Sequence, residues 1–241
     1  MLAWLALPAV NRPHLITTYF SDVDHAGHEA GPLSLMLDTA AHDVDAALGR
    51  LLDGIDRLAN RNYIFLILVA DHGMSETSPR WYAALDTLID MQGVRMVDAG
   101  PNVNLHVQGG VARARVLRDS INRRMRHGRA YLNGEIPAHL HYNGDRRIGD
   151  IMILMEDHYF VGRASRAPKE GTAGHGWDPR DIPAMHAIFV ARGPGIPVGK
   201  VIPSFENVEI YPYVAELLGL TPAKGIDGHR GMLARLIRES R

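Results

Sequence analysis

The sequence of 241 residues contains no cysteine. Disulfides, thiolate nucleophiles, cysteine-ligated zinc and iron–sulfur clusters are therefore excluded for this chain. The sequence also lacks an excess of charge, because 26 lysines and arginines balance 27 aspartates and glutamates, leaving a net charge of −1. This balance argues against binding to a nucleic-acid polymer through overall charge.

Long hydrophobic segments are missing as well. The longest uninterrupted apolar run has about seven residues, whereas a membrane-spanning helix needs roughly 20. Met1–Pro8 is apolar, but it has no basic residues at its start and no small-residue cleavage site after it. We therefore expect a helix end there, and neither a signal peptide nor a membrane segment in this chain.

Histidine, in contrast, is abundant, with 13 residues in the chain. Apolar residues make up 46% of the sequence and charged residues 22%, which is ordinary for a globular protein with a full core. Because cysteine is absent, any metal ion must be held by histidine and carboxylate side chains.

Hydrophobic periodicity predicts an α/β protein. His14–Phe20 is rich in β-forming residues and predicts a strand. Between Leu33 and Leu58, apolar residues recur every three or four positions, which predicts a long amphipathic helix. Ile64–Ala70 is apolar on both faces and predicts a central parallel strand. Together these segments form a βαβ unit.

The middle of the chain has a different pattern, with short strands alternating with turns. We predict strands at Val94–Val97, Asn104–Val107 and Ile151–Met155 and a helix at Ala112–His127, which together indicate a small α+β subdomain. After this subdomain, we predict a buried strand at Ala187–Ala191 and a helix at Tyr211–Leu220.

Three clusters of aspartate and histidine could form a functional site, because they follow predicted strands or lie in glycine-rich loops. They are Asp22–His28, Asp71–Gly73 and Gly171–Asp178. In open α/β sheets, ligands bind beyond the carboxyl ends of the strands. Aspartate and histidine together suit Zn²⁺, with Mn²⁺ or iron as alternatives. We therefore expect these loops to converge on one metal-binding cleft.

Other polar residues are better explained structurally. We expect His25 and His186 to be a loop residue and a strand-end residue, and His139 and His141 to be structural. The arginine-rich segment after Val111 could form a phosphate or nucleic-acid patch. Its regular apolar stripe and lack of interleaved aromatic residues favour the solvated face of a helix instead.

Four ordered motifs are similar to those of the type I phosphodiesterase/nucleotide pyrophosphatase family, in the alkaline phosphatase superfamily. Tyr19–Pro32 resembles its Y…D-x-x-G-H-x-x-G-P motif, and Asp71–Met74 resembles its D-H-G-M motif. Gly174–Asp178, with the later Phe189–Pro194, resembles its G-x-H-G-[YW]-D…F-x-A-x-G-P stretch, and Arg147–Ile151 is another hallmark. The resemblance covers essentially the whole chain.

The resemblance implies an alkaline-phosphatase-like fold, with a mostly parallel sheet flanked by helices and a small α+β cap. Residues 1–90 and 166–241 would form the catalytic core, and residues 91–165 the inserted cap. The family holds two zinc ions. Matching the motifs residue by residue assigns Asp24, His28 and His175 to one ion, and Asp71 and His72 to the other. Tyr19 would stack on a nucleotide base, or alternatively pack beneath the neighbouring loop.

The implied activity is metal-dependent hydrolysis of phosphodiester or pyrophosphate bonds in nucleotides or related small molecules. The resemblance places the nucleophilic threonine or serine upstream of Met1, so we expect this chain alone to be inactive or weakly active. A phosphomonoesterase or phosphonoacetate hydrolase is the nearest alternative, and a catalytically dead metal-binding or interaction module is the other. Full-length bacterial relatives suggest a periplasmic or exported protein.

Overall fold

A computed structural model describes residues 1–239 and has a mixed α/β architecture. The α-helices are α1 (Leu2–Leu5), α2 (Asp22–Ala30), α3 (Leu35–Asp56), α4 (Leu85–Leu88), α5 (Gly110–Arg124), α6 (Ile210–Leu217) and α7 (Met232–Glu239). The strands are β1 (Leu66–Val69), β2 (Ser75–Thr77), β3 (Tyr82–Ala84), β4 (Val94–Val97), β5 (Asn102–Val107), β6 (Gly128–Leu132), β7 (Ile151–Met155), β8 (Phe160–Gly162), β9 (Thr172–Gly174) and β10 (Phe189–Arg192). Every helix within residues 1–239 is too short or too polar to span a membrane.

The chain folds into two compact units. Residues 1–19, 45–71 and 188–239 form one unit, here called the terminal unit. Residues 20–44 and 72–187 form the other, here called the central unit. The predicted helix after Leu33 is confirmed as α3, whose residues are divided between the two units.

The central unit is built on a four-stranded antiparallel sheet with the strand order β4-β5-β7-β6. Burial alternates along β5, so that Val103, Leu105 and Val107 are buried. This is the period-2 pattern of a strand with one face in the core. Helix α5 packs against the sheet and adds Ala114 and Ile121 to the same core. The four segments predicted here, three strands and a helix, are therefore confirmed.

Two shorter ladders complete the central unit. Strand β2 pairs with β9 in the antiparallel sense, and β3 pairs with β8 in the parallel sense. Among residues 1–239, β3–β8 is the one parallel ladder between strands. The sheets of the described chain are thus small and mainly antiparallel.

The terminal unit contains the ladder of β1 with β10 and a core formed by Tyr213, Leu233 and Ile237 from α6 and α7. The predicted strands at Ile64–Ala70 and Ala187–Ala191 are present as β1 and β10, and the predicted helix after Tyr211 is present as α6. The expectation of a central parallel strand was wrong, because β1 pairs antiparallel with β10 and is only partly buried. An apolar run indicates burial but does not encode the direction of its partner strand.

The strand predicted at His14–Phe20 is also wrong. This segment follows Pro13 as irregular chain, and no ladder within residues 1–239 includes it. Its β-branched and aromatic residues favour extended backbone, but a strand also needs a hydrogen-bonded neighbour. Local propensity predicted the conformation without showing whether a partner strand was there.

Candidate metal centre

Asp24 and His28 lie on helix α2, which differs from the loop predicted for this cluster. Two acidic residues, Asp22 and Asp24, lie in its first turn, where negative charge is favoured by the helix dipole. The helix ends at Gly31, whose φ of 87° suits glycine. Residues four apart on a helix lie on the same face, so helical geometry places Asp24 beside His28.

His175 follows directly after β9, the strand that contacts α2. The contact includes a hydrogen bond of 2.9 Å between His28 Nδ1 and the carbonyl oxygen of Ala173, two residues before His175. A helix and a short strand therefore bring together three side chains that are separated by up to 151 residues in sequence. The predicted convergence of Asp24, His28 and His175 is confirmed, although they do not lie at the edge of a parallel sheet.

The distances within this group are close to those between ligands of one metal ion. His28 Nε2 lies 3.4 Å from Asp24 Oδ1 and 3.2 Å from His175 Nε2. His175 Nε2 lies 3.8 Å from Asp24 Oδ1. Metal–ligand bonds of about 2.0–2.2 Å in a tetrahedral site separate the ligand atoms by roughly 3.3–3.6 Å. We call these three residues the metal triad.

Asp24 Oδ1 is buried and has no hydrogen-bond partner among residues 1–239. A buried carboxylate oxygen without a hydrogen bond is unfavourable, by about 1–3 kcal/mol or more for a charged group. The Ala173 carbonyl can only accept, so the Nδ1 of His28 donates, and in the neutral imidazole Nε2 then has the lone pair that can bind a metal ion. An orphaned carboxylate oxygen beside an imidazole lone pair fits a divalent cation such as zinc.

His72 lies in the same cluster. Its ring stacks on that of His175, with centroids 3.4 Å apart and planes inclined by 9°. Its Nε2 is 3.9 Å from Asp24 Oδ1, and its Nδ1 is 2.9 Å from the carbonyl oxygen of Gly73. The structure therefore brings His72 beside the metal triad. Asp71 precedes it as an exposed residue of the terminal unit.

Gly27 and Met74 make a close contact that the sequence analysis did not identify. Gly27 is buried on α2 between the two triad residues of that helix, and a Cβ added to it would overlap the sulfur of Met74. Met74 comes two residues after His72, so this contact joins the segment of His72 to α2. The signal was present as glycine and methionine within the motifs, but sequence alone does not pair them.

Four other histidines singled out from the sequence have local contacts or backbone geometry that explain them structurally. His139 Nε2 lies 2.6 Å from the buried Oδ2 of Asp178. His186 Nε2 lies 2.9 Å from the carbonyl oxygen of Pro179. His25 is exposed on α2, where its Nε2 is 3.4 Å from Glu29 Oε1. His141 adopts a left-handed backbone conformation with φ of 50° after a short 3₁₀ turn.

Tyr19 is 71% exposed. The alternative in which its ring packs beneath a loop is therefore absent from the described structure. An exposed aromatic face is available for stacking, and its role as a base-stacking residue stays a prediction.

Several arginines of α5 make contacts within the central unit. Arg118 contacts Asp119 and Glu135, each at 2.6 Å. Arg113 donates to the carbonyl oxygen of Gln108 at 2.8 Å. With Ala114 and Ile121 buried on the opposite side, the expected solvated helix face is confirmed.

Comparisons with known proteins agree with this geometry. The family model of type I phosphodiesterase/nucleotide pyrophosphatase matches residues 1–178. Ectonucleotide pyrophosphatase/phosphodiesterase family member 3 of Mus musculus is 31% identical over 99% of this chain and 28% of its own length. The venom phosphodiesterase CdcPDE of Crotalus durissus collilineatus is 31% identical over 99% of this chain and 29% of its own.

Family member 1 of Homo sapiens is also similar, with 31% identity over 99% of this chain and 26% of its own length. The chain thus spans less than a third of the length of these relatives. The family match covers well over half of the chain and includes every residue of the metal triad. The chain therefore belongs to the type I phosphodiesterase/nucleotide pyrophosphatase family.

Proposed function

We propose that the chain forms part of a metal-dependent phosphodiesterase/nucleotide pyrophosphatase that hydrolyses phosphodiester or pyrophosphate bonds of nucleotides or related small molecules. The observation that carries the proposal is the buried, unpartnered Oδ1 of Asp24 beside His28 and His175. The names of the relatives support the substrate class. A role as a phosphomonoesterase, a phosphonoacetate hydrolase or an inactive metal-binding module is the alternative.

In this proposal Asp24, His28 and His175 hold one zinc ion, with positions left open for water or substrate. The family resemblance assigns Asp71 and His72 to a second zinc ion. Bound zinc would polarise a phosphoryl oxygen and lower the pKa of a bound water. The carbonyl of Ala173 fixes the ring of His28, which keeps its Nε2 directed at the site.

The family resemblance also supports proposals about the fold and the location of the complete protein. We propose that the complete protein has an alkaline-phosphatase-like, mostly parallel sheet, with residues 1–90 and 166–241 in its core and residues 91–165 as a cap. The four-stranded sheet and α5, which lie within residues 94–155, support the cap. A periplasmic or exported location is likewise proposed from the resemblance.

The nucleotide preference can be tested by calorimetric titration of the zinc-loaded chain with adenosine monophosphate, the product-like ligand. We expect zinc-dependent binding that is tighter than that of inorganic phosphate, and its loss in His175→Ala. His25→Ala is the matched control, since His25 lies on α2 but outside the triad. Equal binding of phosphate and nucleotide would favour the phosphomonoesterase alternative. Absence of any zinc-dependent binding would favour the interaction module.

The same chain should hydrolyse p-nitrophenyl thymidine monophosphate only at background rate, because the resemblance assigns no nucleophile to these residues. Zinc-dependent turnover that His175→Ala abolishes would instead show that this chain supplies a nucleophile of its own.

A further inference from the structure

The hallmark segment Arg147–Ile151 is fixed to strand β5 and lies outside the metal triad. The Oδ2 of Asp150 accepts a hydrogen bond of 2.7 Å from the backbone N–H of Val107. A Cβ added to Gly149 would come within 2.6 Å of the carbonyl oxygen of Leu105, so only glycine allows this approach. The segment's glycine and aspartate therefore anchor one end of a loop to β5.

The other end of this loop is anchored through Tyr142. Its hydroxyl oxygen accepts a hydrogen bond of 3.0 Å from Nδ2 of Asn104, which also lies on β5. Oδ1 of Asn104 is buried and has no hydrogen-bond partner among residues 1–239. Residues 142–150 are thus tied to β5 near both ends, and Asn104 keeps an acceptor that has no hydrogen bond.

Cross-strand pairing adds cationic side chains to the same face. Arg95 on β4 lies directly opposite His106 on β5, and Val97 lies opposite Asn104. Directly opposed residues have neighbouring side chains on one face of the sheet. Together with Arg146 and Arg147 of the loop, these residues line an open basin of about 560 Å³. We call this the arginine basin.

The basin carries a surplus of positive charge. Arg147 makes two hydrogen bonds of 2.9 Å to the carboxylate of Asp145, and these bonds lower the pKa of Asp145 to about 2. Asp145 is therefore anionic across the physiological range and neutralises Arg147. Within residues 1–239 neither Arg95 nor Arg146 has a carboxylate partner. Two guanidinium groups at the basin are left without a counterion.

We propose that the arginine basin binds the tetrahedral oxyanion of a small hydroxylated molecule, such as a phosphate or sulfate ester of a sugar. Arg95 and Arg146 donate to the oxyanion, which suits the forked geometry of guanidinium groups. Asn104 also lines the basin, and its buried Oδ1 can accept from a hydroxyl of the ligand once the side chain turns towards the basin. The site needs none of the metal ligands, so its occupancy is independent of zinc.

The proposal is tested on the metal-free full chain, titrated at low salt with ribose 5-phosphate, inorganic phosphate, inorganic sulfate and ribose. Binding is followed by calorimetry and by backbone amide shifts in two-dimensional NMR. We expect ribose 5-phosphate to bind most tightly, inorganic phosphate and sulfate more weakly and ribose not at all. The shifts should centre on residues 95–106 and 142–147. Comparing phosphate with sulfate distinguishes the two oxyanions.

Arg95→Gln and Arg146→Gln should each weaken ribose 5-phosphate binding by about tenfold, because each removes a charged donor. Both side chains are exposed, so folding is preserved. Arg115→Gln, an exposed arginine on α5, is the matched control and should leave binding unchanged. The proposal is overturned if ribose 5-phosphate fails to bind, if both basin variants bind normally, or if Arg115→Gln weakens binding equally. Because the protein is metal-free, these outcomes do not depend on the proposed hydrolase function.

Discussion

Asp24 and Asp178 of the central unit each have a carboxylate beside a histidine, but the surroundings of the two carboxylates differ. Asp178 has a complete set of partners, since its Oδ2 lies 2.6 Å from His139 Nε2 and its Oδ1 accepts from the N–H of Arg180 at 2.9 Å. Asp24 Oδ1 has three imidazole nitrogens at 3.4, 3.8 and 3.9 Å but no hydrogen bond. Both sites pair an aspartate with histidine, but the distances from the carboxylate oxygen to the imidazole nitrogens differ.

This difference separates a structural ion pair from a metal site. Hydrogen bonding draws an N–H and a carboxylate oxygen to about 2.6–2.9 Å. Ligands of one ion are instead held apart at the edges of its coordination shell. Glu209 in the terminal unit follows the Asp178 pattern, because it is buried and lies 2.8 Å from both the backbone nitrogen and Nδ1 of His229. The wider spacing around Asp24 is the spacing expected of groups that could hold a cation between them.

Replacing Asp24 gives the largest expected effect. Asp24→Asn should weaken zinc binding by at least about a hundredfold, because it removes the anionic ligand of the triad. Without metal, its free energy of unfolding should stay within about 1 kcal/mol of the original, since no hydrogen bond to Oδ1 is lost. Competition with a zinc-binding dye and urea denaturation of the metal-free protein measure the two quantities. If Asp24→Asn binds zinc as tightly as the original, Asp24 is not a metal ligand and does not differ from Asp178 in that respect.

Asp178→Ala should show the opposite behaviour. The substitution removes the carboxylate that faces His139 and accepts from the N–H of Arg180, which should lower the free energy of unfolding by about 2–3 kcal/mol. Zinc stoichiometry of the folded protein should stay the same. Asp181→Ala, an exposed aspartate in the same loop, is the control and should have little effect on urea unfolding. If Asp178→Ala loses zinc but keeps its free energy of unfolding, Asp178 acts on the metal site and not as a structural ion pair.

A smaller effect is expected from the packing beneath the triad. Gly27→Ala introduces a Cβ that overlaps Met74 Sδ, so either the Met74 side chain must change its rotamer or α2 and the His72 segment must move apart. We expect zinc affinity to fall by about tenfold and Met74→Ala in the same chain to restore part of it. Gly49→Ala is the control, since a Cβ there meets nothing within 4 Å. If the double variant binds no better than Gly27→Ala, the contact does not position the triad.

Tyr82 extends the comparison to a phenol and gives the smallest effect. Its hydroxyl donates to the carbonyl oxygen of Arg163 at 2.6 Å, and burial, with Asp86 nearby, raises its pKa to about 12. The folded state therefore holds the proton more tightly than the unfolded state. The resulting stability is present below pH 10 and declines as the pH rises from 10 to 12. Alkaline absorbance titration of Tyr82→Phe should show a smaller late-titrating component, which then comes from Tyr213, whose pKa is also raised by burial.

Much of the local structure could be predicted from the sequence. The apolar stripe of α3 and the alternating strands β4, β5 and β7 have periods that reflect a single buried face. Strand pairing could not be predicted in the same way, because it depends on residues that are distant in the sequence. For that reason the direction of β1 and the absence of a ladder at His14–Phe20 were not predicted correctly.

The sequence predicted which residues form the site more accurately than how these residues are arranged. The motif matches assigned Asp24, His28 and His175 to one metal ion, and the structure confirms that these side chains converge. The four-residue spacing of Asp24 and His28 is a helical signal, but the neighbouring glycines favoured a loop. The stacking of His72 on His175 and the contact of Gly27 with Met74 depend on how separate segments pack, and no local pattern reports that.

The zinc content of the purified chain, measured after dialysis against zinc and then against metal-free buffer, shows whether Asp24, His28 and His175 hold one zinc ion. We predict close to one ion per chain, and almost none in His175→Ala, with His25→Ala behaving as the original. A His175→Ala chain that retains its full equivalent of zinc would rule out His175 as a ligand.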